Sequence, residues 1–224
     1  MKIILKRDIL EANTAEAEGN RRAFREHGVF VVNLMSSPGS GKTTLLEKTL
    51  ERLGKSFRMA VIEGDLYTSH DAERIEGRGV PVVQINTEGG CHLDARMVAA
   101  AMAELDLARL DLLFIENVGN LVCPAAFDLG EDLKVIILST TEGNDKVVKY
   151  PIMFRDADVV ILNKADLLPH VDFDVDVLRR DLGEINPEIP VFTMSAKTGS
   201  GVEAWCRWLE GVVRRGDRAV ENRK

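Results

Sequence analysis

What this chain of 224 residues has little of narrows its chemistry first. Its three cysteines form no even framework of close spacings, which excludes a disulfide scaffold and leaves metal binding or burial as the fates of reduced thiols. No apolar run approaches the roughly 18 residues of a membrane span, and the first residues lack the charged-then-apolar pattern of a signal peptide. A cytoplasmic protein with no membrane partner is therefore expected. No sustained Lys/Arg stripe is present, and the formal net charge of -7 argues against nucleic acid as the main partner. The ending Arg214-Arg215-Gly216-Asp217-Arg218 reads as a frayed helix terminus rather than a binding arm. Internal repeats and low-complexity segments are also missing. The length suits one well-buried core and leaves little room for a second full domain.

What is present is a repeated alternation of short Val/Ile-rich runs with longer amphipathic stretches, the sequence form of βαβ units. The fold class expected is α/β, a predominantly parallel sheet flanked by helices. Candidate strands cover residues 30–35, 59–63, 82–85, 112–116, 135–139, 159–162 and 191–194. Candidate helices cover 43–53, 71–78, 94–107, 146–154, 175–186 and 202–214, with an extra amphipathic helix at 9–27 packed on the sheet or on a partner subunit. The division expected is a helical extension at 1–28, a nucleotide-binding domain at 29–215 and a tail at 216–224.

Between the first strand and the helix after it stands Ser36-Ser37-Pro38-Gly39-Ser40-Gly41-Lys42-Thr43, which reads as a phosphate-binding loop and makes the chain a P-loop NTPase. Backbone N–H groups of such turns converge, the helix offers its positive end, Lys42 can reach the β- and γ-phosphates, and the Thr43 hydroxyl suits Mg2+. Gly39, Ser40, Gly41, Lys42, Thr43 and Thr44 are the candidate phosphate-binding residues. Ser36 occupies the place of the usual first glycine. A Gly-rich surface turn is the bland alternative, which the strand before and helix after disfavour.

Asn163-Lys164-Ala165-Asp166 follows the run at 159–162 and so lies at the carboxyl end of a strand, where open sheets bind ligands. An Asp166 carboxylate can accept from both N1–H and the 2-amino group of guanine, whereas adenine offers neither donor. The Lys164 stem can lie along a base, and Asn163 can tie this loop to the phosphate loop. Ser195-Ala196-Lys197 has the form of a loop whose backbone N–H reaches the guanine 6-oxo group. Alone, an Asn-Lys-x-Asp string is a routine cap; behind a phosphate loop it points to GTP and GDP.

Asp65 and Glu116 end the second and fourth strands and are expected to project toward the phosphates. With Thr43 they form the candidate Mg2+ site, and with Lys42 the candidate catalytic set, because phosphoryl transfer needs mainly positioning and charge neutralisation. Either acid could instead cap the following helix. Glu116-Asn117-Val118-Gly119 lacks an Asp-x-x-Gly and a glutamine just beyond it, so slow hydrolysis is expected.

Cys91-His92 follows one strand and Cys123-Pro124 lies just beyond the Glu116 loop. Thiolate and imidazole favour Zn2+ or Ni2+ over Mg2+, and one chain supplies two such cysteines and a histidine, so a symmetric pair of chains would bring four thiolates together. Burial of Cys91 and Cys123 as small hydrophobes, with His92 opening a helix, is the alternative. Cys206, between Trp205 and Trp208, reads as core; His27, His70 and His170 need no special role.

At these residues the chain resembles the HypB family, GTPases of the SIMIBI class that insert nickel during maturation of nickel-iron hydrogenases. The resemblance spans residues 36–44, Glu63-Gly64-Asp65, Cys91-His92-Leu93-Asp94, Glu116-Asn117-Val118-Gly119-Asn120-Leu121-Val122-Cys123-Pro124, Tyr150-Pro151 and residues 163–166. It implies GTP-dependent homodimerisation, a nickel or zinc site at the dimer interface using Cys91, His92 and Cys123, and partners in a HypA-like nickel-binding protein and a hydrogenase large-subunit precursor. It also implies that Lys146 touches the nucleotide region of the other subunit, although a solvated helix-start lysine has the same signature. Many family members carry an N-terminal cysteine-rich nickel site or histidine tract. Residues 1–28 contain no cysteine and only His27, so nickel is expected to pass through the interface site or come from the partner. A urease-type nickel GTPase is disfavoured because Pro124 is followed by Ala125 rather than histidine, and a partitioning-type ATPase because Ser37 stands where its signature lysine would fall. A P-loop metabolite kinase and a non-catalytic nucleotide-gated metal switch are the readings from other classes.

Overall fold

Residues 6–221 are described by the computed structural model, with side chains described for 9–216. The Val/Ile/Leu runs form β1 (Phe30–Ser36), β2 (Met59–Asp65), β3 (Val82–Asn86), β4 (Leu112–Glu116), β5 (Leu133–Ser139), β6 (Val159–Asn163) and β7 (Val191–Thr193). They join in one sheet of order β3-β2-β4-β1-β5-β6-β7, parallel at every pairing. The central strands are buried along almost their whole length because helices cover both faces, which is why they read as continuous apolar runs. All seven expected strands form, with ends moved by at most two residues.

Alternation within each strand still sorts side chains to two faces. Val32, Leu34, Val61, Phe114 and Ile161 pack with Leu46, Leu50, Trp205 and Leu209 of α2 (Lys42–Leu53) and α8 (Val202–Glu221). On the other face, Val31, Ile62, Leu113 and Ile115 pack with Phe24 and Val98 of α1 (Lys6–His27) and α4 (Ala95–Met102), while Ile136, Leu138 and Val160 pack with Met153, Phe154 and Leu182 of α6 (Pro151–Arg155) and α7 (Val175–Ile185). The amphipathic helix expected at 9–27 is α1, and it lies against α4 and the sheet.

Several helix ends differ from expectation. The helix expected at 146–154 is two: α5 (Lys146–Lys149) and α6, broken at Tyr150 because Pro151 has no N–H and disfavours helical geometry in the residue before it. The one expected at 94–107 stops at Met102. There Glu104 and Leu105 donate to carbonyls three residues back, so the chain tightens, and a separate 3-10 turn follows at Leu107–Arg109. Asp94 caps α4 rather than beginning it, accepting from the Met97 N–H at 2.8 Å. The helix expected at 71–78 is α3 (His70–Glu76), and α8 continues past residue 214 to Glu221.

Candidate functional site

The phosphate loop leaves β1 at Ser36 and enters α2 at Lys42. Gly41 has φ +95, and a Cβ there would lie 2.5 Å from Asn163 Nδ2, so only glycine lets the two loops touch. No side chain caps α2, which leaves its first N–H groups available to an anion. Ser36 has a use that its sequence position concealed: its hydroxyl accepts from Lys42 Nζ at 2.9 Å. Burial lowers the Lys42 pKa, opposed by the nearby Glu116, Asp71, Glu63 and Glu142 charges. Thr44 Oγ1 lies 3.3 Å from Arg74, which Glu47 and Asp71 also hold.

On the β6 side, Asn163 joins three loops. Its Nδ2 donates to Ser40 O at 2.9 Å and its Oδ1 accepts the Ala196 N–H at 2.9 Å, so the phosphate loop, the 163–166 loop and the 195–197 loop form one unit. The Ala196 N–H is thereby committed to Asn163. Lys164 has φ +60 and its Nζ reaches Gly39 O at 2.6 Å. Ser195 is buried and accepts the Thr198 N–H through its hydroxyl, while Lys197 is exposed.

On the β4 and β2 side, the expected Thr43–Glu116 pairing is direct, with the hydroxyl donating to Glu116 Oε1 at 2.7 Å. Glu63 stands opposite Glu116 in the β2–β4 register, on the face shared with α2. Burial pushes the Glu116 carboxyl up to about 7 against the pull of Lys42 and Thr43. Burial, then the charges of Glu116, Asp65 and Asp71, push Glu63 up to about 8. Asp65 differs: burial would raise its pKa, but hydrogen bonds from Thr68 and Tyr67 outweigh it. Its Oδ1 closes the turn after β2, accepting both N–H groups at 2.8 Å. Carboxylate oxygens of Glu63, Asp65 and Asp71 all lie within 4.8 Å of one another, so two acids outside the expected set, Glu63 and Asp71, join the one expected there. The available signal was an acid inside an apolar strand two residues before Asp65.

Four buried side-chain oxygens among the described residues have no hydrogen-bond partner: Ser40 Oγ, Glu63 Oε2, Glu116 Oε2 and Asp166 Oδ1. Buried polar atoms are nearly always paired, and all four of these border the phosphate loop or its two flanking loops. They fit what Mg2+ and a guanine nucleotide require: acids for the cation and a free acceptor for the base.

The Cys91-His92 pair follows a tight turn in which Gly90 N–H donates to Thr87 O, Glu88 has φ +50 and Gly89 φ +94. One ligand atom each from Cys91, His92 and Cys123 lies within 4.8 Å of the others, and Cys91 Sγ is 3.6 Å from His92 Nδ1. Two donors about 2.3 Å from one tetrahedral ion stand about 3.8 Å apart, close to the 3.6 Å between Cys91 Sγ and His92 Nδ1, so the three side chains are the candidate set for a single Zn2+ or Ni2+. Burial lowers the His92 pKa, which favours the neutral ligand form. Cys91 is exposed and Cys123 half-buried, so the reading of both as core residues does not hold. Cys206 is core, its thiol pushed up to about 11 by burial. Lys146 opens α5, with Nζ 3.7 Å from Asp145. Asn117 and Asn120 tie the two donor loops together: Asn117 Oδ1 accepts the Leu93 N–H at 3.1 Å, and Asn120 Nδ2 donates to Cys91 O at 3.3 Å. Neither asparagine carries a sequence signal of that role.

Sheet order, phosphate loop and orphaned acceptors together define a P-loop nucleotide-binding protein. Residues 30–193 match the family model described as CobW/HypB/UreG, nucleotide-binding domain. Hydrogenase maturation factor HypB of Azotobacter vinelandii is 57% identical over 92% of this chain and 68% of its own length. The crystal structure of HypB from Helicobacter pylori in complex with nickel superposes with a TM-score of 0.87 at 42% identity, covering 91% of this chain and 96% of that one. HypB from Archaeoglobus fulgidus gives 0.85 at 42% identity, covering 91% and 99%. The chain belongs to the HypB family of hydrogenase maturation factors.

Proposed function

We propose that this protein is a GTP-hydrolysing metallochaperone that delivers nickel during nickel-iron hydrogenase maturation through a nucleotide-dependent homodimer. The observation that carries this reading is the continuity of the two sites. Glu116, bonded to Thr43, leads within seven residues to Cys123, and on the way Asn117 and Asn120 bond the Cys91–Leu93 segment. A change at the phosphate end therefore has a short covalent and hydrogen-bonded route to the metal donors. Order changes of such loops are the usual GTPase switch.

Gly39, Ser40, Gly41, Lys42, Thr43 and Thr44 hold the phosphates, and Asp166 reads the base, with Asn163, Lys164, Ser195, Ala196 and Lys197 shaping its loop. Thr43, Asp65 and Glu116 would hold Mg2+, which supplies charge neutralisation at the phosphates. Lys42 adds a fixed positive charge, and Glu116 and Asp65 orient the attacking water. Glu63, whose carboxyl burial and the neighbouring acids push up to about 8 in the cation-free protein, stands beside that site. Cys91, His92 and Cys123 carry the cargo ion, Ni2+ or Zn2+, with the other subunit contributing its own set and Lys146 contacting the partner's nucleotide region. A HypA-like protein supplies the metal and a hydrogenase large-subunit precursor receives it. The CobW/HypB/UreG match and the nickel-bound relative support this assignment.

The test is a Ni2+ titration with GDP and with a non-hydrolysable GTP analogue, alongside sedimentation and multiple-turnover phosphate release. Ni2+ affinity and dimer fraction are expected to differ between nucleotide states, and Cys91→Ala to abolish the metal signal while sparing nucleotide binding. Equal affinity and equal dimer fraction in both states overturn the proposal.

A further inference from the structure

The metal-bearing loops are anchored from two directions, and only one of them involves the nucleotide. On the side away from the phosphate loop lies α1, whose buried stripe runs Asn13, Ala17, Asn20 and Phe24. A stripe that served only to bury surface would be apolar throughout, because buried amides cost free energy unless every bond is made. Here two of its members are asparagines and their bonds go to defined places. Asn13 Oδ1 accepts the Ala95 N–H at 2.9 Å, and its Nδ2 donates to Asp128 O at 2.8 Å. Asn20 Nδ2 donates to Ala95 O at 2.8 Å and to Leu129 O at 3.0 Å. Next to them, Arg21 Nη2 lies 2.8 Å from both carboxylate oxygens of Asp128.

Each asparagine thus bridges the same two segments. Ala95 is three residues after His92, at the start of α4, where helix N–H groups need outside acceptors. Asp128 and Leu129 follow the 3-10 turn that Cys123 introduces, and Phe127 beside them packs against the His92 ring with centroids 3.9 Å apart and the planes tilted by 35°. Gly130 completes the fit, since a Cβ there would meet Ala17 O at 2.8 Å.

We infer that Asn13, Asn20 and Arg21 are positioning residues for the Cys91/His92/Cys123 site, fixing the separation of its two halves and so its metal affinity from the side opposite the nucleotide. The inference rests on the metal-site reading above and adds a further input to it. Residues that orient metal ligands through one intermediate contact change metal affinity by about 10- to 100-fold when removed. In the described hydrogen bonds Asn13, Asn20 and Arg21 bond neither the phosphate loop nor the Glu116 carboxylate, so removing any one of these side chains changes Ni2+ affinity by one factor in both nucleotide states. Asn117 lies on the nucleotide route, so its loss changes the ratio between the states instead.

The experiment uses the full chain with Asn13→Ala, Asn20→Ala and Arg21→Gln, titrated with Ni2+ under GDP and under the GTP analogue, following thiolate-to-nickel charge-transfer absorption. GDP affinity on the same samples reports the fold. Each variant is expected to weaken Ni2+ binding on the order of tenfold, equally in both states, with GDP affinity unchanged and the absorption band altered. Should Asn20→Ala not fold, Arg21→Gln decides, because Arg21 is partly solvent-exposed. Unchanged Ni2+ affinity, or Ni2+ and GDP affinity falling by the same factor, overturns the inference. A wild-type protein without a Cys91-dependent nickel band sinks the metal-site reading instead, so the two failures are distinguishable.

Discussion

On the β5–β6–β7 flank of the sheet, the loops facing the phosphate loop are already bonded to it and to one another through Asn163, Lys164 and Ala196. On the β4–β2–β3 flank, the facing groups are the carboxylates Glu116, Glu63, Asp65 and Asp71, crowded enough that burial and mutual repulsion raise two of them well above ordinary values. The difference teaches how one site divides its labour. A base is read by fixed donors and acceptors whose geometry must exist beforehand, because discrimination depends on leaving a wrong partner's groups unpaired. In the proposed function a cation and a reacting phosphate would instead meet a flank whose carboxyls burial and mutual repulsion hold above ordinary values, and their charges would offset one another there. Cys91 and His92 follow β3 and Cys123 follows β4, so the candidate metal donors lie on this acidic flank, where the proposed nucleotide-dependent change would act.

The largest test of that contrast is Asp166→Asn. It is expected to reduce guanine nucleotide affinity on the order of a thousandfold, measured by calorimetry, while the Ni2+ titration of the GDP-free protein stays unchanged; a matching loss of nickel binding would erase the distinction between flanks.

A smaller effect is expected from Glu63→Gln in protein free of nucleotide and divalent cation. The folded pKa of about 8 exceeds the ordinary 4.5, so between these values the folded state keeps a proton that the unfolded state releases. Stability therefore falls as pH rises from 4.5 to about 8, with Glu116 adding the same sign up to about 7. The variant should show a visibly flatter decline of thermal midpoint across that window, raising it by a few degrees at the alkaline end. An unaltered slope would mean that Glu63 ionises as freely as in water.

The smallest effect concerns the thiols. In native protein near neutral pH, a thiol reagent is expected to modify the exposed Cys91 promptly and leave Cys206 untouched, because burial holds that thiol up to about 11. Mass spectrometry of labelled peptides checks this, and prompt labelling of Cys206 would contradict its place in the α8 core.

The strands and the two nucleotide motifs are legible because each is a local pattern: a buried parallel strand is a short apolar run, and a phosphate loop must sit between strand and helix. The break at Pro151 is local too, since Tyr150-Pro151 is by itself enough to interrupt the helix expected at 146–154. Ser36 and Glu63 are harder. Ser36 resembles a defect in a glycine pattern until Lys42 is found bonded to it, and Glu63 resembles any strand acid until β2 and β4 fall into register. Asn13 and Asn20 give no signal, because asparagine on an amphipathic helix reads as part of its wet face.

By itself the sequence determined which segments become strands, where the phosphate loop and the Asn163–Asp166 loop stand, and which residues have the soft donors that nickel or zinc prefers. These depend on neighbours a few residues apart, so local sterics, hydrogen-bond polarity and donor chemistry suffice. Only the tertiary structure decided that Cys91, His92 and Cys123 converge, that Glu63 faces Glu116, and that α1 grips the two segments that carry those three residues. Those juxtapositions come from sheet register and helix packing between segments tens of residues apart, and no local pattern encodes a distance that the closing of the core creates.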